Sequence, residues 1–111
     1  MASRKLVAAS SAPILMSVLA AGESYGYAII SRVRAVSGGE LQWTEGMLYP
    51  VLHRLEQQGL VEATWRTAET GRQRRYYRLT SSGKKALAEE RAAWERVHDT
   101  LQALTPEVSR A

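Results

Sequence analysis

Four arginines, Arg72, Arg74, Arg75 and Arg78, stand within seven residues with no acid among them. Guanidinium groups this close repel one another unless an anion compensates them. Phosphate matches the guanidinium fork in shape and charge and is the natural counterion. A sheet edge guarded by charge would account for one or two such residues, not four. The wider window from Arg66 to Lys85 holds seven basic residues against the single acid Glu69, in a chain whose net charge is +4. The remainder is therefore slightly acidic, and the local patch points to a polyanion.

Other chemistries find little support. The absence of cysteine removes disulfides, thiolate metal sites and thiol nucleophiles. The two histidines, His53 and His98, lie far apart without neighbouring ligand spacing, so neither a metal nor another cofactor is expected. No nucleophile, base and orienting group come together, and the chain is read as not an enzyme. Arg4-Lys5 before an apolar stretch imitates a signal peptide, but Ser10, Ser11 and Pro13 interrupt it. Nothing approaches the roughly 20 apolar residues of a membrane span. The expectation is mature, cytoplasmic sequence with no membrane partner.

The elements that must position the arginines follow from periodicity. Residues 13–20 are apolar on nearly every helical face, with Ser11 as N-cap, Pro13 in the first turn and Gly22 as the stop. A helix apolar all round needs cover on two sides. Ser24 caps a second helix from Tyr25 to about Ser37, which Gly38-Gly39 ends. A third runs from Thr44 to about Gln58, before Gly59. Val61, Ala63 and Trp65 then alternate with polar residues as a half-buried strand. After the polar turn Ala68–Arg72, a second strand from Arg74 to Leu79 places Tyr77 and Leu79 inward and Tyr76 beside Arg74 and Arg78. Thr80 caps a long helix reaching about Leu104.

This order describes a mainly α fold with a small β-hairpin. Residues 1–80 form a winged helix-turn-helix domain, and residues 81–111 a C-terminal dimerisation helix and tail.

The third helix carries the features of a reading head. Leu48, Val51, Leu52 and Leu55 share one side and face the core. The opposite side shows Gly46, Pro50, His53 and Gln57, flanked by Tyr49 and Arg54, a slim polar surface suited to a major groove. Pro50 either kinks this helix, at about 3 kcal/mol, or marks a later start. The kinked, longer helix is preferred, because Gly46 relieves crowding at its carbonyl. An ordinary solvated face explains the periodicity equally well until the basic hairpin is added. If a dimer touches about eight phosphates, log K should fall against log salt with a slope near −7.

In the last helix Leu87, Trp94 and Leu101 recur every seven residues, with Val97 and Leu104 on the same stripe. This short seam is broken by Glu90 and needs help from the apolar first helix, through Ile14 and Leu15, to join two chains.

Several segments together resemble the PadR family of transcriptional regulators. They are Tyr25-Gly26-Tyr27-Ala28-Ile29-Ile30, Gly46-Met47-Leu48-Tyr49-Pro50-Val51-Leu52-His53-Arg54-Leu55-Glu56, Gly59-Leu60-Val61 and Arg75-Tyr76-Tyr77-Arg78-Leu79-Thr80. The match spans roughly residues 12 to 104 and is similar to the short, multidrug-sensing branch. It implies a homodimeric repressor on a pseudo-palindromic operator of double-stranded DNA, with half-sites about 34 Å apart. Carried across, Tyr27 and Tyr49 meet the DNA backbone, and His53 and Arg54 lie at or near the bases. Arg74 and Arg75 serve the wing beside Arg72. Met47 and His53 stand where the family often has threonine and lysine, so base preference does not transfer. The resemblance also implies a pore for planar aromatic effectors lined by Trp94, Leu6, Ala12, Val97 and His98. A winged helix used for protein–protein contact stays open as a second reading.

Overall fold

The apolar N-terminal stretch begins its helix earlier than its serines suggest. In the computed structural model, which describes residues 3–106, α1 spans Arg4–Ala20, with the Ser3 hydroxyl accepting from the Leu6 amide at 3.2 Å. Ser11 does not cap it. That residue is buried mid-helix, and its hydroxyl donates to the Ala8 carbonyl at 3.0 Å. Pro13 therefore lies inside the helix, where it removes one backbone donor. Leu15, Met16 and Leu19 bury one flank of α1 in the core.

Ser24 also departs from its expected role. It pairs with Tyr77 in a two-residue strand, β1 (Ser24–Tyr25), and Tyr25 becomes the N-cap of α2 (Gly26–Val36) without a side-chain cap bond. The third helix, α3 (Glu45–Gln57), is as expected. Thr44 accepts from the Met47 amide at 3.3 Å, a cap worth about 1 kcal/mol. Pro50 sits within it, and Leu48, Val51, Leu52 and Leu55 are buried.

Gly59, in the left-handed region at φ +74°, turns the chain into β2 (Val61–Thr67). β3 (Gln73–Leu79) returns antiparallel, in a register that sets Val61 opposite Leu79 and Trp65 opposite Arg75. The sheet order is β1-β3-β2, so β3 is central and carries both the core residues Tyr77 and Leu79 and the basic residues that alternate with them. The hairpin outruns the core beneath it. Trp65, expected to be half-buried, is 62% exposed.

Thr80 joins the sheet to α4 (Ser81–Leu104). Its hydroxyl accepts from the Gly83 amide at 3.0 Å and donates to the Gly59 carbonyl at 2.7 Å, fastening α4 to the end of α3. The first turns of α4 enter the core, whereas Val97, Leu101 and Leu104 are 54%, 63% and 75% exposed. Two residues expected at a subunit seam, Leu15 and Leu87, belong instead to the chain's own core, at 0% and 4% exposure. Their side chains are enclosed by this chain and offer no surface to a second. Residues 107–111, the tail of the expected C-terminal unit, lie outside the described residues. Among the described residues no helix is long and apolar enough to cross a membrane.

Candidate nucleic-acid interface

Three elements surround one depression of about 630 Å³. The start of α2 contributes Tyr27, α3 contributes Tyr49 and His53, and the hairpin contributes Arg72, Arg74 and Arg75. These six residues, expected from sequence to meet a nucleic acid, are thus brought together. Tyr49 gains its place through Gly26. The phenol lies against the glycine Cα, and any Cβ there would collide with the Tyr49 hydroxyl. His53 stands one turn further along α3, its ring 6.3 Å from that of Tyr49.

The other predicted α3 residues divide. Gly46, Pro50 and Arg54 are exposed and lie outside the depression. Gln57 borders a shallower hollow of about 340 Å³ with His53, Glu56 and Arg75. Met47 is half-buried and packs against the core. Arg54 occupies the last turn of α3, where the helix dipole favours a cation.

The arginines are less alike than their spacing suggests. Arg75 donates to Glu56 Oε2 on α3 at 2.9 Å, with its guanidinium 5.7 Å from the Tyr77 ring centre and 6.0 Å from that of Trp65. It ties the hairpin to α3. Arg78 pairs with Glu62 across the hairpin, and Arg66 with Glu23 at 2.8 Å. The expectation of four uncompensated guanidinium groups is therefore corrected. Among the described residues, Arg72 and Arg74 are the wing arginines without a carboxylate partner.

Arg74 lies over the Tyr25 ring at 4.4 Å, and Tyr25 meets Tyr76 edge-on at 5.2 Å. Arg66 in turn covers Tyr76 at 5.6 Å. This stacked column braces β1 against the wing and leaves the guanidinium edge of Arg74 free for a bidentate contact. Burial raises the Tyr77 phenol above its ordinary range, while the nearby Arg75 cation pulls the other way. The tyrosine stays neutral as a packing residue.

Sequence reasoning missed Trp65 and Tyr25, both on the rim of the depression. A tyrosine immediately before a helix gave no sign that a strand would place it under Arg74.

On the other side of the molecule α1, α2 and α4 enclose an apolar groove of about 560 Å³. Ile14 and Trp94 line it, and Arg91 at its edge donates to the Ser17 hydroxyl at 3.1 Å. Of the residues expected in an effector pore, Trp94 alone borders this groove. Ala12 is half-buried against the core, Leu6 is 50% exposed, and Val97 borders a separate hollow on α4. His98 is exposed, with its Nε2 3.4 Å from Gln102 Nε2.

A core-packed α3 beside a basic hairpin, preceded by two helices and followed by a long one, defines a winged-helix DNA-binding protein. The profile of the Transcriptional regulator PadR-like family matches residues 15–89, and the chain belongs to that family of transcriptional regulators. Over 50 residues it is 52% identical to the transcriptional regulator Rv3488 of Mycobacterium tuberculosis, covering 45% of this chain and 46% of that protein. Among solved structures it resembles a transcriptional regulator from Clostridium thermocellum, with TM-score 0.85 and 27% identity over 96% of this chain and 100% of the other. A PadR family regulator from Eggerthella lenta gives TM-score 0.76 and 31% identity over 90% of this chain and 85% of the other.

Proposed function

We propose that the chain is a homodimeric transcriptional repressor of the cytoplasm, binding a pseudo-palindromic operator with its two recognition helices. The observation that carries this reading is the convergence of Tyr27, Tyr49 and His53 with Arg72 and Arg74 around one depression. In the complex α3 enters the major groove, with His53, Arg54 and Gln57 toward base edges over Gly46 and Pro50. Tyr27, Tyr49, Arg72 and Arg74 hold the phosphates on either side. Arg75 acts on the wing from within, through Glu56.

Dimerisation uses the apolar surface that α4 leaves exposed. Val97, Leu101 and Leu104 of one chain cover the groove beside Ile14 and Trp94 of the other, so that each chain shields what its partner exposes. Trp94 then lies at the subunit boundary, where a planar aromatic effector inserted between the chains releases or tunes DNA binding.

A mobility-shift assay on DNA upstream of the protein's own gene tests the central reading. Sequence-specific retardation is expected, and in Arg72→Ala/Arg74→Ala it should require a much higher protein concentration. Equal retardation of unrelated duplexes, or none, would refute an operator-specific repressor. Quenching of tryptophan fluorescence by planar aromatics, absent in Trp94→Ala, tests the effector.

A further inference from the structure

The large exposed apolar side chains fall into two groups. Leu6, Val36, Val97, Leu101 and Leu104 are on α1, α2 and α4, and a second copy of the chain would cover those helices. Trp65 and Tyr27 are different. They are 62% and 72% exposed and lie around the depression between α3 and the hairpin. Tyr27 already has a role at the DNA backbone. Trp65 has none, and an indole left so far in water is unfavourable unless something covers it on binding.

The indole is also held in place. Trp65 stands directly opposite Arg75 in the hairpin register. The Arg75 guanidinium lies 6.0 Å from the indole ring centre and is itself fixed by the 2.9 Å bond to Glu56. A rotamer-restricted aromatic loses little entropy when it is covered, which favours binding over mere solvation. What covers it must tolerate the cations Arg72 and Arg74 on the same rim, and must itself be anionic. Of the acids nearby, Glu56 is paired with Arg75, and Glu45, which lines the depression from the first turn of α3, offsets one cation and leaves the depression net positive.

We infer that Trp65 is a DNA-contacting residue, its indole packing on the apolar edge of the deoxyribose next to phosphates held by Arg72 and Arg74. Arg75 and Glu56 are positioning residues that set the indole at that height. This assignment rests on the DNA-binding reading above. A sugar contact adds affinity without reading sequence and without releasing counterions. Its signature is therefore a loss of affinity with no change in salt dependence.

The test uses duplexes of about 30 base pairs, long enough for two half-sites. One is selected by the wild-type protein from a random library, and one is of mixed sequence. Trp65→Ala should weaken binding to both by roughly tenfold, with an unchanged slope of log K against log salt and an unchanged melting temperature. Trp65→Phe should keep most of the affinity. In the wild type, the selected duplex should shield an indole from acrylamide quenching, and this protection should vanish in Trp65→Phe. If Trp65→Ala binds as tightly as the wild type, the assignment fails while the DNA-binding reading stands. A slope that falls together with affinity also overturns it, because the wing would then have moved. If the wild type selects no duplex at all, the underlying reading falls and takes this assignment with it.

Discussion

Replacing Arg72 and Arg74 together by alanine removes the two wing guanidinium groups that have no carboxylate partner among the described residues. In the proposed dimer that deletes four cations from the proposed DNA face. Each phosphate that is no longer neutralised should flatten the slope of log K against log salt by about 0.9. Arg54 is directed to base edges and neutralises no phosphate, so the wild-type slope should be about −4. This is shallower than the slope near −7 that follows from counting all four wing arginines, because Arg75 and Arg78 already face Glu56 and Glu62. The double variant should show a slope close to zero. The control is Glu56→Gln/Arg75→Gln, which removes an ion pair without changing net charge and should leave the slope near the wild-type value. Fluorescence anisotropy with a labelled selected duplex, repeated across a series of potassium chloride concentrations, measures all three. A control slope as flat as that of Arg72→Ala/Arg74→Ala would refute the division of arginines into free and paired.

The neutral phenol of Tyr77 makes stability sensitive to alkali. Burial raises its pKa in the fold, so the native chain keeps the proton to higher pH than the unfolded chain, and stability falls as pH rises above about 10. In denaturant melts Tyr77→Phe should lack that component, and curves for the two proteins that stay parallel through the alkaline range would contradict it. Leu101→Glu/Leu104→Glu should sediment as a folded monomer and bind the selected duplex at least about a hundredfold more weakly, since the second half-site no longer adds avidity. A dimer that survives both charges would place the interface elsewhere. Gly26→Ala should displace the Tyr49 ring and destabilise the fold by about 1–3 kcal/mol, a cost that Gly26→Ala/Tyr49→Ala should partly relieve in thermal melts.

Elements whose own residues dictate them were legible in the chain. α3 announced itself through the Thr44 cap and the spacing of Leu48, Val51, Leu52 and Leu55, and both signals are local. The hairpin showed in its alternation, and Thr80 marked the start of α4. The start of α1 was hidden because Ser11 has the chemistry of a cap but donates backward to the Ala8 carbonyl inside the helix. β1 was hidden for a different reason. Two residues have no period, and Ser24-Tyr25 becomes a strand solely because β3 offers it an edge.

The site shows the same boundary between local and distant causes. Residue types and faces located α3 and the basic hairpin, because a charge cluster and a helical period are written in neighbouring residues. The state of each arginine was not, since it depends on carboxylates brought from elsewhere: Glu56 lies 19 residues from Arg75, and Glu23 lies 43 from Arg66. Alternation likewise assigned Trp65 to the inner face of the wing, but it does not say how far the core extends beneath that face. Val61 at the base of the strand is buried, Ala63 is half-buried, and Trp65 has passed the edge of the core. The same overhang sets the exposed indole of Trp65 on a hairpin whose turn and returning strand carry Arg72 and Arg74, so the aromatic and the two wing cations without a carboxylate partner among the described residues project together beyond the core.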